Sequence, residues 1–162
     1  MIEILLTETE DKLLTLIIHD NGHGMSEDAL KKVTDPFYTT RKTRKIGMGI
    51  PLLKLAAEMT GGNLTVESVS IEDSYDSHGT SVTATFHTDS IDFTPIGDMV
   101  STVCVIIQGH PEIDYFFRHV TPSLDVSLDT KDMRAVLGNN ISLSKQEILE
   151  WTADNLNQQY QN

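Results

Sequence analysis

Asp20-Asn21-Gly22-His23-Gly24-Met25 follows directly on the apolar run that begins at Leu13. A strand that delivers a carboxylate into a two-glycine turn brings backbone close to a ligand, because glycine tolerates positive φ and has no Cβ to obstruct approach. Two further segments carry compatible chemistry: Asp35-Pro36-Phe37-Tyr38-Thr39-Thr40 and Gly47-Met48-Gly49-Ile50. Between them lies Arg41-Lys42-Thr43-Arg44-Lys45, which holds four of the 12 basic residues. An isolated charge run reads as a solvated loop. Lying between the glycine-bearing Asp20–Met25 and Gly47–Ile50, this one reads as a loop facing phosphate. Gly47 and Gly49 fall where a helix N-terminus offers free N–H groups and a macrodipole to an anion. Together the segments make a nucleotide-site hypothesis.

The elements that must position these residues follow from pattern. Ile2 to Leu6 and Leu13 to His19 are apolar, β-branched runs joined by the turn-prone Glu8-Thr9-Glu10-Asp11-Lys12, which predicts a hairpin. Ser26 is a good N-cap for a short helix through about Val33, and Asp35-Pro36 ends it. Residues 38–48 read as a mobile loop. A helix starts near Gly49, with Pro51 in its first turn and an apolar face of Leu52, Leu53, Leu55, Ala56 and Met59; Gly61-Gly62 stops it. Leu64 to Val69 and Ser81 to Phe86 alternate as strands. Beyond a linker at Asp89 to Pro95 the pattern gives a helix over Asp98–Gln108 and strands near Tyr115–Val120 and Leu124–Leu128. A helix over Lys131–Leu137 follows, and a last helix opens on the capping box Ser144-Lys145-Gln146-Glu147. The fold class expected is α+β: a two-layer sandwich with a mixed, mostly antiparallel sheet, helices on one face and a C-terminal α-β-β-α-α extension. The expected division is residues 1–95 and 96–162.

Composition bounds the rest. The chain has 162 residues, a net charge of −12 and one cysteine, Cys104. A single cysteine excludes an intrachain disulfide framework. The negative charge argues against nucleic acid or an anionic membrane as partner. Residues 61–162 carry 15 acids and 4 bases, whereas residues 20–60 carry 5 acids and 7 bases. No apolar run is long enough to span a bilayer, and a cytoplasmic protein is the default. His19 and His23 read as strand and turn residues. His78, His87, His110 and His119 lack metal-ligand spacing.

In order and spacing the motifs resemble the GHKL ATPase superfamily, which includes gyrase, Hsp90-type chaperones, histidine kinases and mismatch-repair ATPases. The histidine-kinase branch fits best, and the resemblance covers residues 1 to about 88. Asp20–Met25 looks like its first glycine box, Asp35–Thr40 like its F box, Gly47–Ile50 like its second glycine box, and Gly79-Thr80 like the step before its last strand. The resemblance implies ATP held with Mg²⁺. Asp20 would accept the adenine amino hydrogens, Gly22 and Gly24 would let backbone pass under the base, and Met25 would pack against it beside Ile18. Thr80 would complete the adenine contact. Phe37 and Tyr38 would brace the loop, while Arg41, Lys42, Arg44 and Lys45 would meet the phosphates with Gly47, Met48, Gly49 and Ile50.

One family motif has no counterpart. The N box, whose Asn holds Mg²⁺, lies on a helix before the first strand, and no Asn precedes Asn21 here. The expectations are a helix encoded upstream, weak nucleotide binding and impaired phosphoryl transfer by this chain. An uncovered apolar sheet face should then be closed by the last helix, through Ile148, Leu149, Trp151 and Leu156, or by a second protomer. The resemblance implies a bacterial, two-component type of transferase domain acting on a partner protein, with a tail like that of small stand-alone kinase-like ATP-binding proteins. The rival readings are an anti-sigma-type serine kinase and a non-catalytic nucleotide-sensing module.

Overall fold

The computed structural model of the chain describes residues 1–36, 38, 47–138 and 141–161. Among these, the elements run β1 (Ile2–Glu8), β2 (Leu13–Asp20), α1 (Glu27–Leu30), α2 (Gly49–Met59), β3 (Asn63–Val69) and β4 (Gly79–His87). They continue with α3 (Met99–Gly109), β5 (Tyr115–Val120), β6 (Asp125–Asp129), α4 (Thr130–Leu137) and α5 (Gln146–Gln161). The strands form one open six-stranded sheet in the order β3-β4-β2-β1-β5-β6. Four of its pairings are antiparallel, and β1 with β5 is parallel. The α+β sandwich expected from the pattern is what the chain adopts.

Strand periodicity decides which side of this sheet is covered, because alternate side chains point to opposite faces. Ile4 lies opposite Ile18 and beside Phe117, Leu14 opposite Phe86, Leu64 opposite Ala84, and Phe117 opposite Leu128. The register therefore draws one nearly continuous apolar face. Phe117 at its centre is 1% exposed, a burial that contributes about 2–3 kcal/mol. The other face holds Thr15, Thr83 and Thr85, with Leu5 opposite Ile17.

The parallel β1–β5 contact needs a crossover, since parallel neighbours cannot be joined by a tight turn. α3 supplies it, capped by Asp98, whose side chain accepts the Ser101 N–H, and burying Val100, Val103 and Ile107. The sheet thus runs unbroken across residue 95. The 89–95 segment lies against it, the Phe93 ring meeting Phe86 edge-on at 6.5 Å between centroids. α5 packs on α3 and β6 and buries Ile148, Thr152 and Leu156. It is also tied to the sheet by a side-chain relay: the His119 ring meets Glu8 Oε1 at 3.0 Å through Nε2 and the Tyr160 hydroxyl at 2.9 Å through Nδ1. Burial, reinforced by the charges of Glu8 and Asp98, raises the Tyr160 hydroxyl above its ordinary pKa.

Three expectations change. The packed side of α2 is Ile50, Leu53 and Ala57, whereas Leu52, Leu55 and Met59 point to solvent. This helix carries two apolar stripes, and periodicity alone did not choose between them. The capping box at Ser144 does not form. A turn that joins Lys145 N–H to the Ser142 carbonyl sets the Ser142 and Ser144 hydroxyls 2.8 Å apart, and the helix begins at Gln146. Finally, α5 covers only the β5–β6 end of the apolar face, and Trp151 is 54% exposed. A hollow of about 350 Å³ stays over β1 and β2, floored by Leu6, Leu14, Leu16 and Ile18 and walled by Ala56 and Ile106. Among the described residues no helix is long and apolar enough to cross a membrane.

Candidate functional site

The carboxylate of Asp20 ends β2 on the apolar face, and its Oδ1 accepts the Gly22 N–H at 2.8 Å. That bond closes the turn, and among the described residues the second oxygen, Oδ2, makes no hydrogen bond. Gly24 has φ +67°, and a Cβ there would stand 1.8 Å from the Val69 carbonyl oxygen. Gly79 has φ +143°, and its Cβ would stand 2.1 Å from the Asp20 carbonyl oxygen. Both positions demand glycine, because a side chain would be strained by conformation and blocked by backbone.

Ser68 joins these pieces. Its Oγ accepts the Met25 N–H at 2.8 Å and lies 2.9 Å from both the Gly79 carbonyl and Thr80 Oγ1. A carbonyl only accepts, so Ser68 donates there, and the Thr80 hydroxyl donates to Ser68. That assignment uses the one proton and both lone pairs of Ser68. Register explains the convergence: Thr80 pairs with Asp20 on one side and with Ser68 on the other. The structure therefore brings Asp20, Gly22, Gly24, Met25 and Thr80 together.

Sequence reasoning missed two members of this cluster. Ser68 gave no motif, and only the β3–β4 register reveals it. His78 donates its Nδ1 proton to the Gly22 carbonyl at 2.5 Å and stacks obliquely on Tyr75, 6.4 Å away. The Ile71 N–H adds a bond to the His23 carbonyl at 2.8 Å. The 70–79 segment thus clasps the glycine turn from above.

Gly47, Met48, Gly49 and Ile50 form a second group at the start of α2. Met48 is the N-cap and supplies no side-chain cap, and the first turn holds no acid. Among the described residues no hydrogen bond takes the leading N–H groups of the helix. A Cβ on Gly49 would meet no atom of the described residues within 4 Å, so their packing does not explain this glycine. Along the outer face of α2, Met48, Leu52, Leu55 and Met59 are each 53–55% exposed. Their 4-3-4 spacing is that of a helix–helix seam. Thr34 and Pro36 adjoin this face in a shallow hollow with Leu52 and Leu55. Tyr38 closes a turn through its N–H to the Asp35 carbonyl at 3.0 Å. Phe37, Arg41, Lys42, Arg44 and Lys45 lie outside the described residues. Among the described residues no three His, Cys, Asp or Glu side chains gather as a metal site.

The sequence model of the histidine kinase-, DNA gyrase B- and HSP90-like ATPases matches residues 1–90. A 52-residue stretch is 42% identical to the C4-dicarboxylate transport sensor protein DctB of Pseudomonas aeruginosa, which covers 32% of this chain and 8% of that protein. Among solved structures, the mycobacterial sensor histidine kinase MprB aligns over 52% of this chain and 54% of its own, at 20% identity and a TM-score of 0.41. The N-terminal domain of a DNA repair protein aligns over 86% of this chain and 51% of its own, at 17% identity and a TM-score of 0.49. The chain spans about half the length of these solved relatives and under a tenth of the sensor protein.

Proposed function

The chain belongs to the family of histidine kinase-, DNA gyrase B- and HSP90-like ATPases, and from that premise we propose that it binds ATP between these two groups and hands the γ-phosphoryl to a partner protein. Asp20 takes the adenine amino group on its free oxygen. A site that offers only acceptors there rejects guanine, which presents a carbonyl at that edge. Met25 and Ile18 pack against the base. The phosphates meet the N–H groups of Gly49 and Ile50 and the cations of the Arg41–Lys45 loop.

The observation that carries this reading is Asp20 held by the Gly22 N–H, inside a turn that Ser68 and His78 brace. Among the described residues no three His, Cys, Asp or Glu side chains gather as a metal site, and no step here runs through a metal. The exposed stripe on α2 supports transfer to a partner, because it offers a helix a seat beside the phosphate end. We take the acceptor to be a His on that helix, in two-component fashion and in a bacterial cytoplasm. Residues 1–95 form the nucleotide unit, and residues 96–162 are an extension of the same sheet. A second copy seated in the hollow over β1 and β2 completes the proposal.

Radiolabelled ATP with candidate partners tests it. Acid-labile label on the partner, lost in Leu52→Asp/Leu55→Asp, is the expected result. Acid-stable label would point to a serine kinase. Binding without transfer would leave a nucleotide sensor.

A further inference from the structure

Away from the nucleotide site, α4 and α5 diverge over the edge of β6 and leave a groove of about 690 Å³. Its floor is Phe116, Leu128, Met133, Leu137 and Ile148. Its walls are Val136, 88% exposed, and Trp151, 54% exposed, so two large apolar side chains stand in water on either side of one cleft. Soluble chains rarely leave apolar surface grouped in this way unless something covers it.

Charge names the occupant. Asp129, Asp132 and Glu147 line the groove, and among the described residues no Lys or Arg does. Of the two cations on α4, Arg134 is turned away to Asp114, 2.9 Å off, and to the Pro111 carbonyl, and Lys131 is not among the lining residues. Shape excludes strand addition. The outward N–H and C=O of Ser127 on the β6 edge are already taken by the Gln159 side chain, at 2.9 and 3.0 Å. An amide side chain there occupies the place of the next strand and blunts the edge. A second copy that presents its own 61–162 half would bring acid against acid, since those residues hold 15 acids and 4 bases.

We propose that this groove docks an amphipathic helix of a partner protein, with an apolar stripe in the cleft and Lys or Arg against the rim. The inference stands apart from the nucleotide reading, and none of its residues belongs to that site.

Trp151 is the only tryptophan, and its emission reports the groove directly. The probe is a synthetic 18-residue Leu/Lys amphipathic helix titrated into the full chain, with a Leu/Glu helix of equal length beside it. The expected result is a saturable blue shift with Leu/Lys and none with Leu/Glu. Val136→Asp, at a solvent-exposed position that leaves folding intact, weakens binding by about tenfold. Asp132→Asn/Glu147→Gln weakens it by about fivefold. Glu10→Gln/Asp11→Asn removes the same charge elsewhere and leaves affinity unchanged. Equal response to both peptides, or equal loss from both double variants, would mean attraction to net charge and would overturn the proposal. So would a shift that follows protein concentration alone, which would make the occupant a second copy. A Val136→Asp chain that binds like the parent would place the peptide elsewhere.

Discussion

At the base end of the proposed site Gly24 and Gly79 are hemmed in by backbone atoms, whereas at the phosphate end a Cβ on Gly49 would meet no atom of the described residues within 4 Å. The same contrast runs through the polar groups. Asp20, Met25, Thr80 and His78 are cross-linked through Gly22 and Ser68, but the first turn of α2 has no side-chain cap. Glycine therefore does two jobs in one site. Near the base it lets the chain fold back on itself. At α2 it leaves room that no described residue fills. The Asp20 end is built by tertiary contacts, whereas among the described residues none closes the α2 end.

The variant expected to break that contrast hardest is Gly24→Ala. It forces a side chain into φ +67° and against the Val69 carbonyl, at a cost of about 3 kcal/mol. Thermal unfolding should show the midpoint falling by about 10 °C, with ATP binding lost. Ser68→Ala comes next. It strands the Met25 N–H and loosens Thr80 without crowding anything, and should cost about 1–2 kcal/mol in denaturant unfolding. Gly49→Ala sharpens the comparison from the other side. No described residue blocks the new methyl group, so stability should hold or rise by about 0.5 kcal/mol, while titration shows ATP affinity falling because the methyl narrows the approach to the phosphates. Equal destabilisation by the two glycine variants would erase the distinction between the ends.

The smallest effect lies outside both ends. Hydrogen bonds from the Ser101 hydroxyl and N–H to the Asp98 carboxylate hold it below its ordinary pKa of 3.8. A depressed folded-state pKa stabilises the fold above the unfolded value and loses that contribution as pH falls through the folded one. Acid unfolding should therefore steepen below about pH 4, and Asp98→Asn should flatten that limb while leaving ATP affinity unchanged.

Much of this was legible in the sequence. Turn chemistry is local, so Asp20–Met25 and the Ser26 cap could be read from their neighbours. Strand alternation gave the sheet faces. What escaped depends on residues far apart in the chain. Ser68 matters because register sets it beside Thr80, and His78 because a loop folds over Gly22. β5 joins β1 in parallel through a crossover that no local pattern announces. The outer stripe of α2 was misassigned as its packed face because Leu52, Leu55 and Met59 are as apolar as the inner stripe. Trp151 reads as core by composition, yet it borders the groove beside α4.

The central claim is that a preformed base end, organised by Asp20, selects ATP. Calorimetric titration of the chain with ATP, and in parallel with GTP, tests it most directly. The account predicts saturable ATP binding, at least tenfold weaker GTP binding, and loss of the ATP signal in Asp20→Asn with the unfolding midpoint unchanged. Equal affinity for the two nucleotides, or an Asp20→Asn chain that binds ATP like the parent, would contradict it.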